Sequence, residues 1–127
     1  MRIRDVSNDR WERFFDDFTH LYEGAHVNVE TMGDGGIGVR SQFHDIPLVG
    51  IVPAASDAGE NEWIEIIAGG TLESHVSHSV AVPSVVRVAE EEDGSAIALQ
   101  IESQDGVVTI IRFEPPRENF PEGFRID

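Results

Sequence analysis

The chain contains no cysteine and no lysine. The absence of thiols rules out a disulfide framework, a thiolate metal site and a cysteine nucleophile, and with them several enzyme classes. Long apolar runs are missing too: nothing approaches the roughly 18 consecutive apolar residues of a membrane span. The opening Met1-Arg2-Ile3-Arg4-Asp5 lacks the apolar stretch of a signal peptide. The expectation is a cytoplasmic protein that does not engage a membrane. Recognisable catalytic motifs are also absent: there is no Gly-x-Ser-x-Gly elbow, no His-Glu-x-x-His helix and no calcium-loop spacing. Gly33-Asp34-Gly35-Gly36-Ile37-Gly38 resembles a phosphate-cradling loop only in glycine content. It lacks the following Lys-Ser/Thr and opens a strand, so a hairpin turn is the better reading.

Positive charge is scarce. Nine basic residues, all arginine, stand against 24 acidic ones, for a formal net charge of −15. Phosphate contacts need clustered cations, so a nucleic-acid partner is not expected. Three readings of the acidity compete. Adaptation to molar salt comes first, because carboxylates bind water and cations there and their repulsion is screened over roughly 3 Å at 1 M. A genome favouring arginine codons would explain the missing lysine but not the acid excess. A surface built for a basic partner comes third.

What is present describes one small folded domain. The 127 residues leave no room for a second independent core, and 40% apolar against 26% charged residues is an ordinary globular balance. From Asp9 to Glu23, Trp11, Phe14, Phe15, Phe18, Leu21 and Tyr22 recur at helical spacing on one face. Ser7 or Asn8 is placed to cap this helix, Asp9 and Arg13 form an i,i+4 pair, and Gly24 is suited to end it.

Beyond Gly24 the period changes to two. Strands are expected at about 26–32, 36–44, 48–53, 62–68, 71–82, 84–90, 96–103 and 107–113. The expected fold class is α+β: an N-terminal amphipathic helix packed on a mostly antiparallel, strongly bent β-sheet or partly open β-barrel of about seven or eight short strands. The last hairpin has an arguable register. A three-residue loop with Gly106 in the left-handed conformation sets Ser103 opposite Val107, Ile101 opposite Thr109, Leu99 opposite Ile111 and Ile97 opposite Phe113. A two-residue loop would turn Arg112 toward the core. Glu92-Asp93-Gly94-Ser95 supplies the preceding turn and completes a three-stranded meander. The segment 53–61 reads as a variable surface loop. Residues 1–113 are assigned to the domain and 114–127 to a tail interrupted by Pro115, Pro116 and Pro121, in which Phe120 and Phe124 either clip onto the domain or await a partner.

Five histidines are the remaining chemical candidates: His20, His26, His44, His75 and His78. His75-Val76-Ser77-His78 has metal-ligand spacing, but on a regular strand the two rings point to opposite faces, leaving His78 partly buried and His75 in solvent. His44-Asp45, beside Pro47 at a strand end, reads as turn chemistry rather than half of a dyad. Glu90-Glu91-Glu92-Asp93 reads as a solvated turn, since a charge run is usually an exposed face.

Trp11 to Phe18, Gly24, Val27-Asn28-Val29-Glu30, Ile46-Pro47-Leu48-Val49-Gly50-Ile51, His75-Val76-Ser77-His78-Ser79-Val80, and Ile101 to Gly106 followed by Arg112-Phe113 resemble, in order, a family of small uncharacterised prokaryotic proteins, domain of unknown function 5335. The resemblance spans about Asp5 to Phe113, with residues 114–127 extending past the family's usual end. His75, His78, Pro47, Gly50 and Gly106 match its pattern, and it implies no activity.

Two functions remain. The first, leaning away from an enzyme, is a binding or accessory module for a protein partner or for a second copy, with Trp63, Phe120 and Phe124 as contacts. The alternative is a small-ligand or metal-binding protein using His75 and His78, with His44 nearby. No catalytic residue, cofactor or resident metal is assigned. If the acidity is an adaptation to salt, the unfolding midpoint rises with KCl up to molar concentration; maximal stability at low salt would refute it.

Overall fold

A computed structural model describes residues 2–33, 38–55, 62–70 and 74–113. The expected helix is present as a 3₁₀ turn, Asn8–Arg10, running into α1, Trp11–Tyr22. Strand β1 is Arg2–Asp5, and after the helix come β2 (His26–Met32), β3 (Val39–Ala55), β4 (Glu62–Gly69), β5 (His75–Ala81), β6 (Pro83–Glu90), β7 (Ala96–Ser103) and β8 (Val108–Phe113). They form one eight-stranded sheet, order β1-β6-β7-β8-β2-β3-β4-β5, with every neighbour antiparallel. The class is α+β, and the sheet is bent without closing into a barrel.

Two departures from the expected elements have physical reasons. The expected strands 36–44 and 48–53 are joined, from Val39 on, in one strand of 17 residues, because the chain bends at His44-Asp45 without leaving the sheet. The short β1 carries three charges in four residues and so shows no apolar alternation to read. The meander is as expected: Leu99 pairs with Ile111 and Ile101 with Thr109, the Ser103 amide donates to the Val107 carbonyl at 2.9 Å, and Gly106 has φ 92°. At the helix start the expectation fails. Ser7 makes no side-chain cap, and Asn8 lies inside the 3₁₀ turn. The start is held instead by the indole of Trp11, which donates to the Val6 carbonyl at 2.9 Å.

The core is the aromatic face of α1 set into the concave side of the sheet. Phe14, Phe15 and Phe18 are buried with Val27, Val29, Leu48, Ile64, Ile66, Leu99, Ile101 and Ile111. Phe113 completes an aromatic cluster, 5.3 Å from Phe18 and 5.2 Å from Tyr22 between ring centroids. Helix and sheet approach closely at Gly50, where an added Cβ would lie 3.3 Å from the Thr19 methyl. Thr19 Oγ1 accepts from the Ile51 amide at 3.1 Å there, so one side chain satisfies β3 and seats the helix.

Wrapping a sheet around one helix requires corners. Two strands turn them: β3, whose first part pairs with β2 and whose second pairs with β4, and the run β5–β6, interrupted only by Val82. The two non-glycine residues with positive φ, among those described, sit at these corners, Asp45 at 52° and Val82 at 45°. Aspartate tolerates that conformation, whereas a β-branched residue there is strained.

Glu90 corrects the expectation of a solvated acidic run. It takes the inward position that continues Val86 and Val88 on β6, and it is 1% exposed. Arg4 Nε donates to it at 2.8 Å and Arg2 at 3.2 Å, both from β1, so the charge is compensated where it is buried. The strain at Val82 generates a prediction. Replacement by asparagine, which enters the left-handed region readily, raises the unfolding free energy by about 1 kcal/mol in urea denaturation; no gain would mean the valine side chain's contacts outweigh the backbone strain.

Candidate functional site

A groove runs along one flank of α1, where the helix lies against β3. At its upper end, about 290 Å³ are lined by Asn8, Trp11 and Glu12 from the helix start and by Pro53, Ala54, Glu62, Trp63 and Pro83 from the strands. Glu12 and Pro53 also line the continuation, about 700 Å³, with Asp9, Arg13, Asp16, Thr19, Ile51 and Val52. The groove therefore has a floor of tryptophan, proline and aliphatic carbon and a rim of carboxylates with one arginine. Each wall is fixed locally, by the Trp11–Val6 hydrogen bond on the helix side and by the Ala54–Trp63 pairing of β3 with β4 on the other.

Of the residues singled out from sequence, Trp63 lines this groove and is half-buried. His75 and His78 lie elsewhere, on β5, opposite Gly69 and Ile66 of β4. His78 shares the inward face with Val80 and is partly buried, while His75 is exposed. The two rings are not brought together, and no group of three His, Cys, Asp or Glu able to hold a metal occurs among the described residues. Phe120 and Phe124 fall outside the described residues.

The expectation for His44-Asp45 as strand-end turn chemistry is corrected. The pair lies in the body of β3 at a bulge, where the β2–β3 register shifts between Val27 and Val29. Asp45 there accepts or shares a proton with His26, Nδ1 to Oδ1 2.6 Å, while its amide donates to Asn28 Oδ1 at 2.8 Å. This contact was hidden in the sequence because 19 positions and a register shift separate the partners. A carboxylate on Nδ1 sets the tautomer of a neutral ring and leaves Nε2 to accept. The three side chains also hold the positive-φ corner, which accounts for them without a substrate.

Burial of the ring holds the His78 pKa below the usual histidine value. The folded state then binds this proton less readily than the unfolded chain, so its contribution to stability is intact above the unfolded pKa near 6.5 and is lost as pH falls below it. His20 has the opposite sign: the Asp16 carbonyl that it hydrogen-bonds, and then the Asp16 charge, raise its pKa. His78→Gln is therefore expected to lessen the stability loss between about pH 6.5 and 5 in urea unfolding, and His20→Gln to increase it. A loss unchanged by the His78 substitution would contradict this assignment.

An uncharacterized protein of Aquifex aeolicus (strain VF5) is similar, 24% identical over 115 residues that cover 91% of this chain and 95% of that one. No solved structure matches with significance. The model of a family of unknown function, DUF5335, matches residues 2–122. The match passes Phe113 and corrects the expectation that the family pattern ends there, since it takes in Phe120 while stopping short of Phe124. With nearly the whole chain covered, the protein belongs to the DUF5335 family of unknown function.

Proposed function

We propose that the protein is a binding module whose helix-flanking groove receives an extended, basic, proline- or arginine-containing segment of a partner protein. The observation that carries this reading is the combination on one groove: Trp63, Trp11, Pro53 and Pro83 at the floor, with Asp9, Glu12, Asp16 and Glu62 around it. Aromatic and proline surfaces accept the flat faces of proline rings and guanidinium groups, and the carboxylates select cations. An open furrow suits a chain laid along it better than a small molecule, which pockets usually enclose over most of its surface. The metal alternative has less support, because His75 and His78 face opposite ways.

Both tryptophans of the chain line the groove, so intrinsic fluorescence reports on it directly. Titration with an Arg-Pro-rich decapeptide is expected to change the emission, while a peptide with glutamate in place of arginine does not. Trp63→Ala and Glu12→Arg each weaken binding about tenfold or more, the equivalent of ~1.4 kcal/mol. Equal response to both peptides, or binding that survives both substitutions in folded protein, would refute the groove as a recognition site.

A further inference from the structure

The two edges of the sheet are built differently. Edge strand β1 is four residues long and carries Arg2, Arg4 and Asp5, the charged and short design that prevents another strand from pairing. Edge strand β5 has none of these guards. It contains no proline, its pairing with β4 runs from Trp63–Ala81 to Gly69–His75 without a register shift, and it has no acidic residue or arginine. The charge-free stretch runs from Ser74 to Val86, in a chain where 26% of residues are charged. Five of the seven β5 residues are exposed, and Val76 remains 46% exposed although it shares the inward face with His78 and Val80.

From this contrast we infer that β5 is a pairing edge for β5 of a second copy of this chain, joining two sheets antiparallel across a two-fold axis. The occupant follows from charge. Each copy carries −15, so contact between identical molecules is opposed wherever acids line the surface, and β5 is a long exposed edge with no acid of its own, Glu65 of β4 reaching it at Ser79. The strand is also compatible with its own image. With the axis at its midpoint, His78 faces its copy, Ser77 faces Ser79 and Val76 faces Val80, so polar outward positions meet polar ones and valines meet on the inward side. Main-chain hydrogen bonds along the edge supply the attraction. This surface is separate from the helix-flanking groove and does not depend on it.

Sedimentation velocity of the full chain tests the inference. A dimer is expected, its fraction rising from low to molar KCl as the remaining repulsion is screened. Ser77→Lys and Ser79→Lys, which place on β5 the charge that guards natural edges, shift the protein to monomer with an unchanged circular dichroism spectrum. Because the chain has no cysteine, His78→Cys provides a second readout that survives if the lysine variants fail to fold. Residues directly opposite in an antiparallel pair lie at disulfide distance, so mild oxidation cross-links this variant while His44→Cys stays monomeric. A monomer at all salt concentrations, or a dimer that neither lysine disturbs and His78→Cys does not trap, overturns the inference. A monomer whose β5 amides resist hydrogen exchange also overturns it, since another segment of the same chain would then cover the edge.

Discussion

One requirement organises the molecule: a short helix presents five buried aromatic residues, more apolar surface than a flat sheet of short strands can cover. Trp11, Phe14, Phe15, Phe18 and Tyr22 share one face of α1, and side chains of this size need a sheet that curves around that face to keep them from water. A regular sheet twists but does not turn sharply, and the chain supplies the turns at Asp45 and Val82. The corner at Asp45 is held by side chains, His26 and Asn28 reaching across from β2. The corner at Val82 is held by backbone, its amide donating to the Glu62 carbonyl and its carbonyl accepting from Gln104. The groove beside the helix follows the line along which α1 meets β3, with Glu62 and Trp63 of β4 at its upper end.

Scarce positive charge is spent on holding strands together. Arg2 and Arg4 tie β1 to Glu90 of β6, Arg87 of β6 reaches Asp5 and Glu102, and Arg112 of β8 reaches Glu30 of β2. Most of these pairs are exposed and individually worth little, roughly 0–1 kcal/mol. Glu90 differs, because a carboxylate at 1% exposure without its arginines would be an uncompensated buried charge. Arginine suits this use better than lysine, since its planar fork can meet a carboxylate with two parallel hydrogen bonds.

What could be read in advance follows the range of the interactions involved. The helix, the meander and its register rest on period and turn chemistry within a few residues, and they are legible in Trp11–Tyr22 and in Leu99–Ile111. The long β3 is not, because a bulge keeps a strand continuous through residues that look like a turn. Glu90 is not, because its partners lie 86 and 88 positions away and its own neighbours are acids. The His26–Asp45 contact is hidden for the same reason. Of the candidate site, Trp63 could be picked out as an aromatic residue flanking a polar loop. That Trp11 would join it was obscured by its membership of the helical stripe, which reads as pure core.

The acidic composition and the groove need to be kept apart, although both concern carboxylates. At molar salt the Debye length falls to about 3 Å, so the field of the −15 charge no longer draws a basic segment from a distance. Hydrogen-bonded contacts of the proposed partner at the groove would be about as short as that and would persist. Recognition there would then rest on what the carboxylates surround, the flat surfaces of Trp63, Pro53 and Pro83, with Glu12 and Asp16 acting only at hydrogen-bond range. Nonspecific attraction between an acidic protein and a basic peptide disappears as salt rises, whereas the proposed recognition would leave a Trp63-dependent component. The charge that dominates the composition is thus a background against which specificity has to be built, and the aromatic and proline residues of the groove are suited to build it.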